Sequence, residues 1–249
     1  NISQYSPAFL RAVQPLPPLL VEAAVAAWRA VLLAIVVLLA GPLTIPVLLW
    51  SPVASEINAG NVNLFIAAAI AAGFRWPAVW AFVLHTKITP AIGLLWFVVR
   101  GEWQKLGVVV AVAGGVALVS ALLAPELWRG WLILIFGNAA SGAQVTTFPY
   151  WIPLSMRLPI AGLIVVLAAR LGWRWAVAPA AMIAAPVLYF PTQAIVLGAL
   201  PEARRIATGR LERLLVSSGS PAQATTGQSA ELAAERDDVP PDVVGQPLP

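Results

Sequence analysis

A histidine and a lysine two residues apart, His85 and Lys87, stand inside an apolar run where charge is costly. The run, WPAVWAFVLHTKITPAIGLLWFVV, covers Trp76 to Val99 and holds the chain's single histidine and one of its two lysines. Ionisable groups within such a run are expensive to bury and mark function by default. The chemistry on offer is an ammonium that can hold an anion and an imidazole that can make a directed hydrogen bond. A second polar concentration, SEINAGNVN, sets Glu56, Asn58, Asn61 and Asn63 between two apolar runs. One asparagine there can cap the following helix. Four polar groups within eight residues exceed what one cap requires.

Other chemistries are excluded by composition. There is no Cys, so there is no disulfide framework, thiolate nucleophile or thiolate metal site. One His and few carboxylates do not build a metal cage, and no metal or other cofactor is expected. All three Asp residues, Asp237, Asp238 and Asp242, lie in the last thirteen positions. Before Glu202 the acids are Glu22, Glu56, Glu102 and Glu126. The net charge of +4 is spread over segment ends, with no basic tract dense enough for nucleic acid.

The elements that must position these groups are membrane helices. The chain is 60% hydrophobic and 10% charged, where a soluble domain carries about 25% charge. Its mean hydropathy is +0.84. Runs of Leu, Ala and Val at helix-spanning length recur, and the alternation of a membrane β-barrel does not. The fold class is therefore all-α, a polytopic transmembrane bundle of about seven or eight membrane segments, short broken helices included. Residues 1–18 read as an outer interfacial segment, 19–200 as the transmembrane domain, and 201–249 as a basic helix followed by a disordered polar tail. The chain opens at Asn1 on a polar-to-apolar junction with no signal peptide before it. That start reads as a fragment lacking an N-terminal part, or as a processed chain.

Leu19 to Ala40 is the first clear span, ended by Gly41-Pro42. Leu106 to Ala124 is a second, with Gly114-Gly115 suited to close helix packing. Ile152 to Ala169 and Val177 to Leu200 follow as further spans, after a long connection from Pro125 to Trp151 that includes an amphipathic piece, Leu127 to Phe136, and the soft loop Gly137 to Thr147. The central run is different. Arg75 precedes it and Arg100 and Lys105 follow it, so both ends look cytoplasmic by the positive-inside rule. The break at Lys87-Ile88-Thr89-Pro90 allows a hairpin of two half-helices with Lys87 near the outer side. The same conflict arises at Val177 to Leu200, between Arg170 and Arg174 on one side and Arg204, Arg205, Arg210 and Arg213 on the other. There the sequence leaves it open.

The order of these features resembles a known family. Tyr5-Ser6-Pro7 is followed by Pro-Leu-Pro before a Trp-bearing helix, by Gly60-Asn61-Val62-Asn63, by an Ala-rich short helix, and by the Lys87 to Pro90 break closed by Arg100 and Trp103. This is similar to the DUF2029 family, glycosyltransferase family 87 of the GT-C class. The resemblance covers about residues 5 to 200 and rests on order and spacing rather than on any single motif. It implies an enzyme of GT-C type, a hexosyltransferase of mannosyl type in the bacterial plasma membrane. Its partners would be membrane lipids, a polyprenol-phosphate sugar donor and a lipid or glycan acceptor of the envelope. Reaction would occur at the outer face, with a carboxylate as base and cations on the donor phosphate. The family's base, an Asp in its first outer loop, has no counterpart here and is expected in a missing N-terminal part, so the fragment itself would be inactive.

Within that frame Lys87, His85 and Arg157 become donor phosphate-binding candidates, since a phosphate leaving group needs cations and donors near the departing oxygens. Glu56, Asn58, Asn61 and Asn63 become sugar- or acceptor-binding candidates. Each has a plainer alternative. Lys87 could pair with Glu56 or Glu22, His85 could be a hydrogen-bonded core residue, and Arg157 could snorkel to an interface. A transporter or flippase is the alternative function, because broken helices with buried charge suit that class too. Such a protein would carry internal repeats, and the halves share no Lys-x-x-Pro or Asn-x-Asn echo.

Overall fold

The computed structural model describes residues 7–8, 18–141 and 152–218, and every regular element among them is helical. The Tyr5 end of the first motif, most of the interfacial segment, the loop over residues 142–151 and the polar tail lie outside the described residues. The chain divides into two compact units, residues 1–203 and 204–249. The first holds the polar residues singled out above. Of the second, the described part is the remainder of α11 (Leu200–Ser218), the basic helix.

Among the described residues three helices are long and apolar enough to cross a membrane: Glu22–Leu49, Trp103–Leu123 and Leu154–Leu171. The first joins α1 (Pro18–Ala40) to α2 (Thr44–Leu49) through a 3-10 turn at Gly41–Leu43, where Pro42 interrupts the α-helical ladder. The second is α7 and the third is α9. A fourth span is formed if the bent pair α3 (Ser51–Ala59) and α4 (Asn63–Gly73) is one crossing, its two halves meeting at 109°. The connection after Pro125 begins as helix α8 (Pro125–Ser141), which covers the amphipathic piece and runs on through the first five residues of the expected soft loop. Gly114 and Gly115 do not pack closely: a Cβ on either would meet nothing within 4 Å among the described residues. Helix α7 keeps Val110, Leu118, Leu122 and Leu123 exposed, the face a lipid solvent accepts.

The central run is broken, not straight. It comprises a 3-10 turn at Pro77–Val79, α5 (Trp80–Thr86), an extended residue at Lys87, a 3-10 helix at Thr89–Leu94 and α6 (Leu95–Val99). The two arms lie side by side. Trp80 meets Phe97 edge-on with centroids 6.4 Å apart, and Phe74 meets Trp96 at 5.2 Å. Residues near the start and end of the run are thus neighbours, and Lys87 sits at the turn between the arms.

The same construction recurs at Val177 to Leu200, where the sequence reads as one span. α10 (Val177–Ile183) ends after two turns, and a 3-10 helix at Phe190–Ala199 returns beside it. A methyl on Gly198 would stand 3.2 Å from Cβ of Ala178 and 2.7 Å from the carbonyl oxygen of Ala67. The segment therefore doubles back, and its two ends lie together. Pro186 and Pro191 explain the break, since neither continues a helical ladder from the preceding turn.

Both hairpins share one core with Trp80, which is fully buried. A Cβ on Gly73 would lie 2.3 Å from its Nε1, and one on Gly93 would lie 2.4 Å from its Cη2 and 2.9 Å from Cγ1 of Val177. Gly93→Ala is expected to lower stability by about 1–3 kcal/mol, the usual cost of overpacking a filled core. Gly107→Ala, inside α7 with open space around it, is expected to be neutral or to raise stability by up to about 1 kcal/mol. Thermal unfolding of the two variants in detergent checks this, and equal midpoints would contradict the packing described.

A group of charged side chains gathers at one end of the hairpin arms. Near the open ends of the hairpin arms, away from their turns, Arg100 donates to the Ala169 carbonyl at 3.1 Å and to Glu102 at 3.1 Å, and Lys105 donates to Glu102 at 2.7 Å. Arg174 lies over the Phe74 ring at 5.6 Å. Desolvation pushes the Glu102 carboxyl up, but the links to Lys105 and Arg100 outweigh it and hold it below its ordinary value. The turns of the two hairpins lie at the opposite end of these arms.

Candidate active site

Three breaks in helical structure meet at that opposite end. The first is the bend between α3 and α4. α3 closes at Gly60 in the left-handed conformation, φ 64°, which glycine adopts without strain. The Trp28 indole of α1 donates to the Gly60 carbonyl at 2.8 Å and fixes the bend. The reversal folds Asn63 onto Glu56. The Asn63 main-chain N–H donates to Glu56 Oε1 at 2.5 Å and its side-chain amide donates to Oε2 at 2.8 Å. Both residues are fully buried. A carboxylate is tolerated there because each oxygen receives a donor.

The second break is the turn of the first hairpin. Thr86 at the end of α5 bonds back to the Phe82 carbonyl at 2.8 Å, and Lys87 then leaves the helix with φ −144° and ψ 106°. Pro90 restricts the residue before it, so the chain does not re-enter an α-helix at once. The extended backbone directs the ammonium toward the bend. Lys87 Nζ donates to Asn63 Oδ1 at 2.7 Å. One asparagine therefore joins the only buried carboxylate among the described residues to the ammonium, donating to the first and accepting from the second.

The third break is the turn of the second hairpin, from Ala184 to Tyr189. Arg157, near the start of α9, holds it. Its Nη1 donates to the carbonyls of Ile183 at 2.7 Å and Ala185 at 2.9 Å, and its Nε donates to Ile152 at 2.9 Å. The guanidinium thus satisfies carbonyls left open where α10 ends, the end of a helix that favours a cation. The turn so held carries Tyr189 inward. Its ring lies 5.8 Å from the Lys87 ammonium, and its hydroxyl accepts from the Asn61 side-chain amide.

The structure brings Glu56, Asn61, Asn63 and Lys87 into one cluster. Three other sequence candidates lie apart. His85 Nε2 contacts the Ala113 carbonyl of α7 at 3.1 Å, an interhelical contact away from Lys87. His85 lies in the last turn of α5 and Lys87 just beyond its end. Asn58 is exposed, and it is its carbonyl that takes part in a contact, accepting from Arg29 at 3.3 Å. Arg157 is buried among main-chain carbonyls. Tyr189 belongs to the cluster and is not among the sequence candidates. The signal for it is Pro186 and Pro191 on either side, together with the charge conflict across that segment.

Among the described residues no group of three or more His, Cys, Asp or Glu is arranged to hold a metal. What the cluster offers is a lysine ammonium in an apolar surrounding, anchored on one side and bordered by two asparagine amides and a phenol. Such a set holds an anion and hydrogen-bonds to hydroxyls. In comparison with known protein families, residues 4–218 match glycosyltransferase family 87. No curated protein and no solved structure matches the chain.

Proposed function

Because this chain belongs to glycosyltransferase family 87, we propose that its cluster binds the polar end of a polyprenol-phosphate sugar donor and that Lys87 holds the departing phosphate. The sugar is a hexose of mannosyl type, and the acceptor is a lipid or glycan of the bacterial envelope. The observation that supports this reading most is Lys87 at the turn of a broken hairpin, linked to Asn63 at 2.7 Å. Arg75, Arg100, Lys105 and Arg174 near the far ends of the hairpin arms favour the cytoplasmic side for those ends. The turns then face outward, where a lipid-linked donor presents its sugar.

In the reaction the acceptor oxygen forms a bond to the anomeric carbon while the bond from that carbon to the phosphate oxygen breaks. The acceptor proton passes to a base, and the electron pair leaves with the phosphate. Charge builds on the departing oxygens, and a fixed ammonium in an apolar site stabilises it. Asn61 and Tyr189 border the place where sugar hydroxyls would lie. The role of base is not given to Glu56, because both its oxygens accept from Asn63.

Broken hairpins with buried charge suit a transporter equally, and one assay separates the two. The full-length protein in proteoliposomes, given a polyprenyl-phosphate mannose and membrane lipid acceptors, is expected to consume the donor and release polyprenyl phosphate. Movement of intact donor across the bilayer without consumption would overturn the enzymatic reading.

A further inference from the structure

Asn63 is placed between two groups of opposite charge and cannot be turned over without loss. Its amide nitrogen faces the Glu56 carboxylate at 2.8 Å and its amide oxygen faces the Lys87 ammonium at 2.7 Å. A carboxylate accepts only and an ammonium donates only. Reversing the amide would set oxygen against oxygen and nitrogen against nitrogen. The main-chain N–H of Asn63 adds a second donor to the same carboxylate at 2.5 Å. The carboxylate is thereby fixed by the bend itself, whose geometry is set by Gly60 and Trp28.

We propose that Glu56 and Asn63 form an orientation relay, in which the carboxylate fixes the amide of Asn63 and the amide aims the Lys87 ammonium at the donor phosphate. This deepens the proposed function and rests on its assignment of Lys87 to the phosphate. Glu56 and Asn63 are then positioning residues that act through Lys87 rather than on substrate. The relay explains why a carboxylate sits fully buried beside an ammonium without touching it directly. A direct ion pair would draw the ammonium onto the carboxylate and away from an incoming phosphate. An interposed amide holds it by one hydrogen bond and leaves its other two N–H donors for the ligand. Tyr189 closes one further side, its ring 5.8 Å from the ammonium, which narrows the directions left for those donors.

The relay makes a demand on chemistry at each position. Glu56→Gln keeps size but leaves one acceptor oxygen for the two donors of Asn63, so the main-chain N–H or the side-chain NH2 then faces another NH2 and the amide is no longer held in place for Lys87. Asn63→Leu removes the link outright. A role in packing alone predicts no dependence on Lys87. A relay predicts that nearly the whole effect of either change runs through it.

The test is binding of polyprenyl phosphate, the sugar-free lipid, to full-length protein in nanodiscs of neutral lipid. Lys87→Ala, Glu56→Gln and the double variant are compared with wild type. Glu56→Gln is expected to weaken binding about tenfold, and to add less than about twofold in the Lys87→Ala background, the non-additivity of residues in one network. In turnover with the sugar donor, KM is expected to rise more than kcat falls. If Lys87→Ala binds the lipid like wild type, the assignment of Lys87 itself fails. If Lys87→Ala weakens binding while Glu56→Gln leaves it unchanged, or if the two losses multiply, the relay fails and the assignment stands. Should Glu56→Gln not fold, Asn63→Thr takes its place in the same comparison, with the same coupled loss supporting the relay and unchanged or independent binding overturning it.

Discussion

Lys87→Ala is expected to reduce sugar transfer by roughly a hundredfold or more in the full-length protein, the scale seen when one fixed charge-stabilising donor is removed. The loss should fall on the chemical step as well as on donor binding, because charge on the leaving phosphate grows as its bond to the sugar breaks. The protein should still fold. Glu56 keeps both hydrogen bonds from Asn63, so neither of its buried oxygens is left without a donor. Lys87→Arg should retain partial activity, since it restores the charge but not the compact geometry that fits one donor to Asn63 Oδ1. Radiolabelled sugar transfer, read beside thermal unfolding midpoints, checks all three statements. Transfer at the wild-type rate by folded Lys87→Ala would remove Lys87 from the mechanism.

The second large effect is at Arg157, and it is one of stability first. Arg157→Met removes donors from the carbonyls of Ile152, Ile183 and Ala185 together. The bond to Ala185 is buried and the other two are part-buried; a buried carbonyl left without a donor costs about 1–3 kcal/mol, so a loss of about that size is expected. Tyr189 rides on the turn those bonds hold, so transfer should fall as well. Arg157→Lys separates a structural role from a phosphate-binding one. A lysine cannot reproduce a planar fork serving three carbonyls, and it is expected to leave both the unfolding midpoint and transfer low. If Arg157→Lys restored transfer at an unchanged midpoint, Arg157 would be a phosphate ligand after all.

The parts of the site that can be read from sequence are those where chemistry and punctuation coincide. Lys87 stands in an apolar run three residues before a proline, and charges flank the run on both sides. That is enough to infer a broken hairpin, and the extended backbone at Lys87 agrees with it. Glu56, Asn61 and Asn63 are conspicuous because four polar residues crowd a short gap between apolar runs. Their partnership is not conspicuous. It depends on the 109° reversal between α3 and α4, which follows from a left-handed Gly60 and a bond from Trp28, 32 positions away.

Spacing alone does not tell where His85 reaches. Two positions are a large rotation on a helix, and its imidazole contacts the Ala113 carbonyl of α7. Arg157 reads from the sequence as a phosphate ligand or an interfacial residue, and that a neighbouring hairpin brings open carbonyls to it is a matter of tertiary packing. Tyr189 is hidden inside an apolar stretch of spanning length. Its prolines are visible, but the partner that gives it meaning, Asn61, lies 128 positions away. Such pairings arise from tertiary packing and leave no local pattern.

The measurement that tests the central claim most directly is a structure of the full-length protein with a non-hydrolysable polyprenyl-phosphonate sugar analogue bound. The phosphonate oxygens are expected within about 3 Å of Lys87 Nζ, the distance of a charge-assisted hydrogen bond. The sugar should lie beside Asn61 and Tyr189. A phosphonate seated instead at the far end of the hairpins, among Arg75, Arg100 and Arg174, would contradict the account.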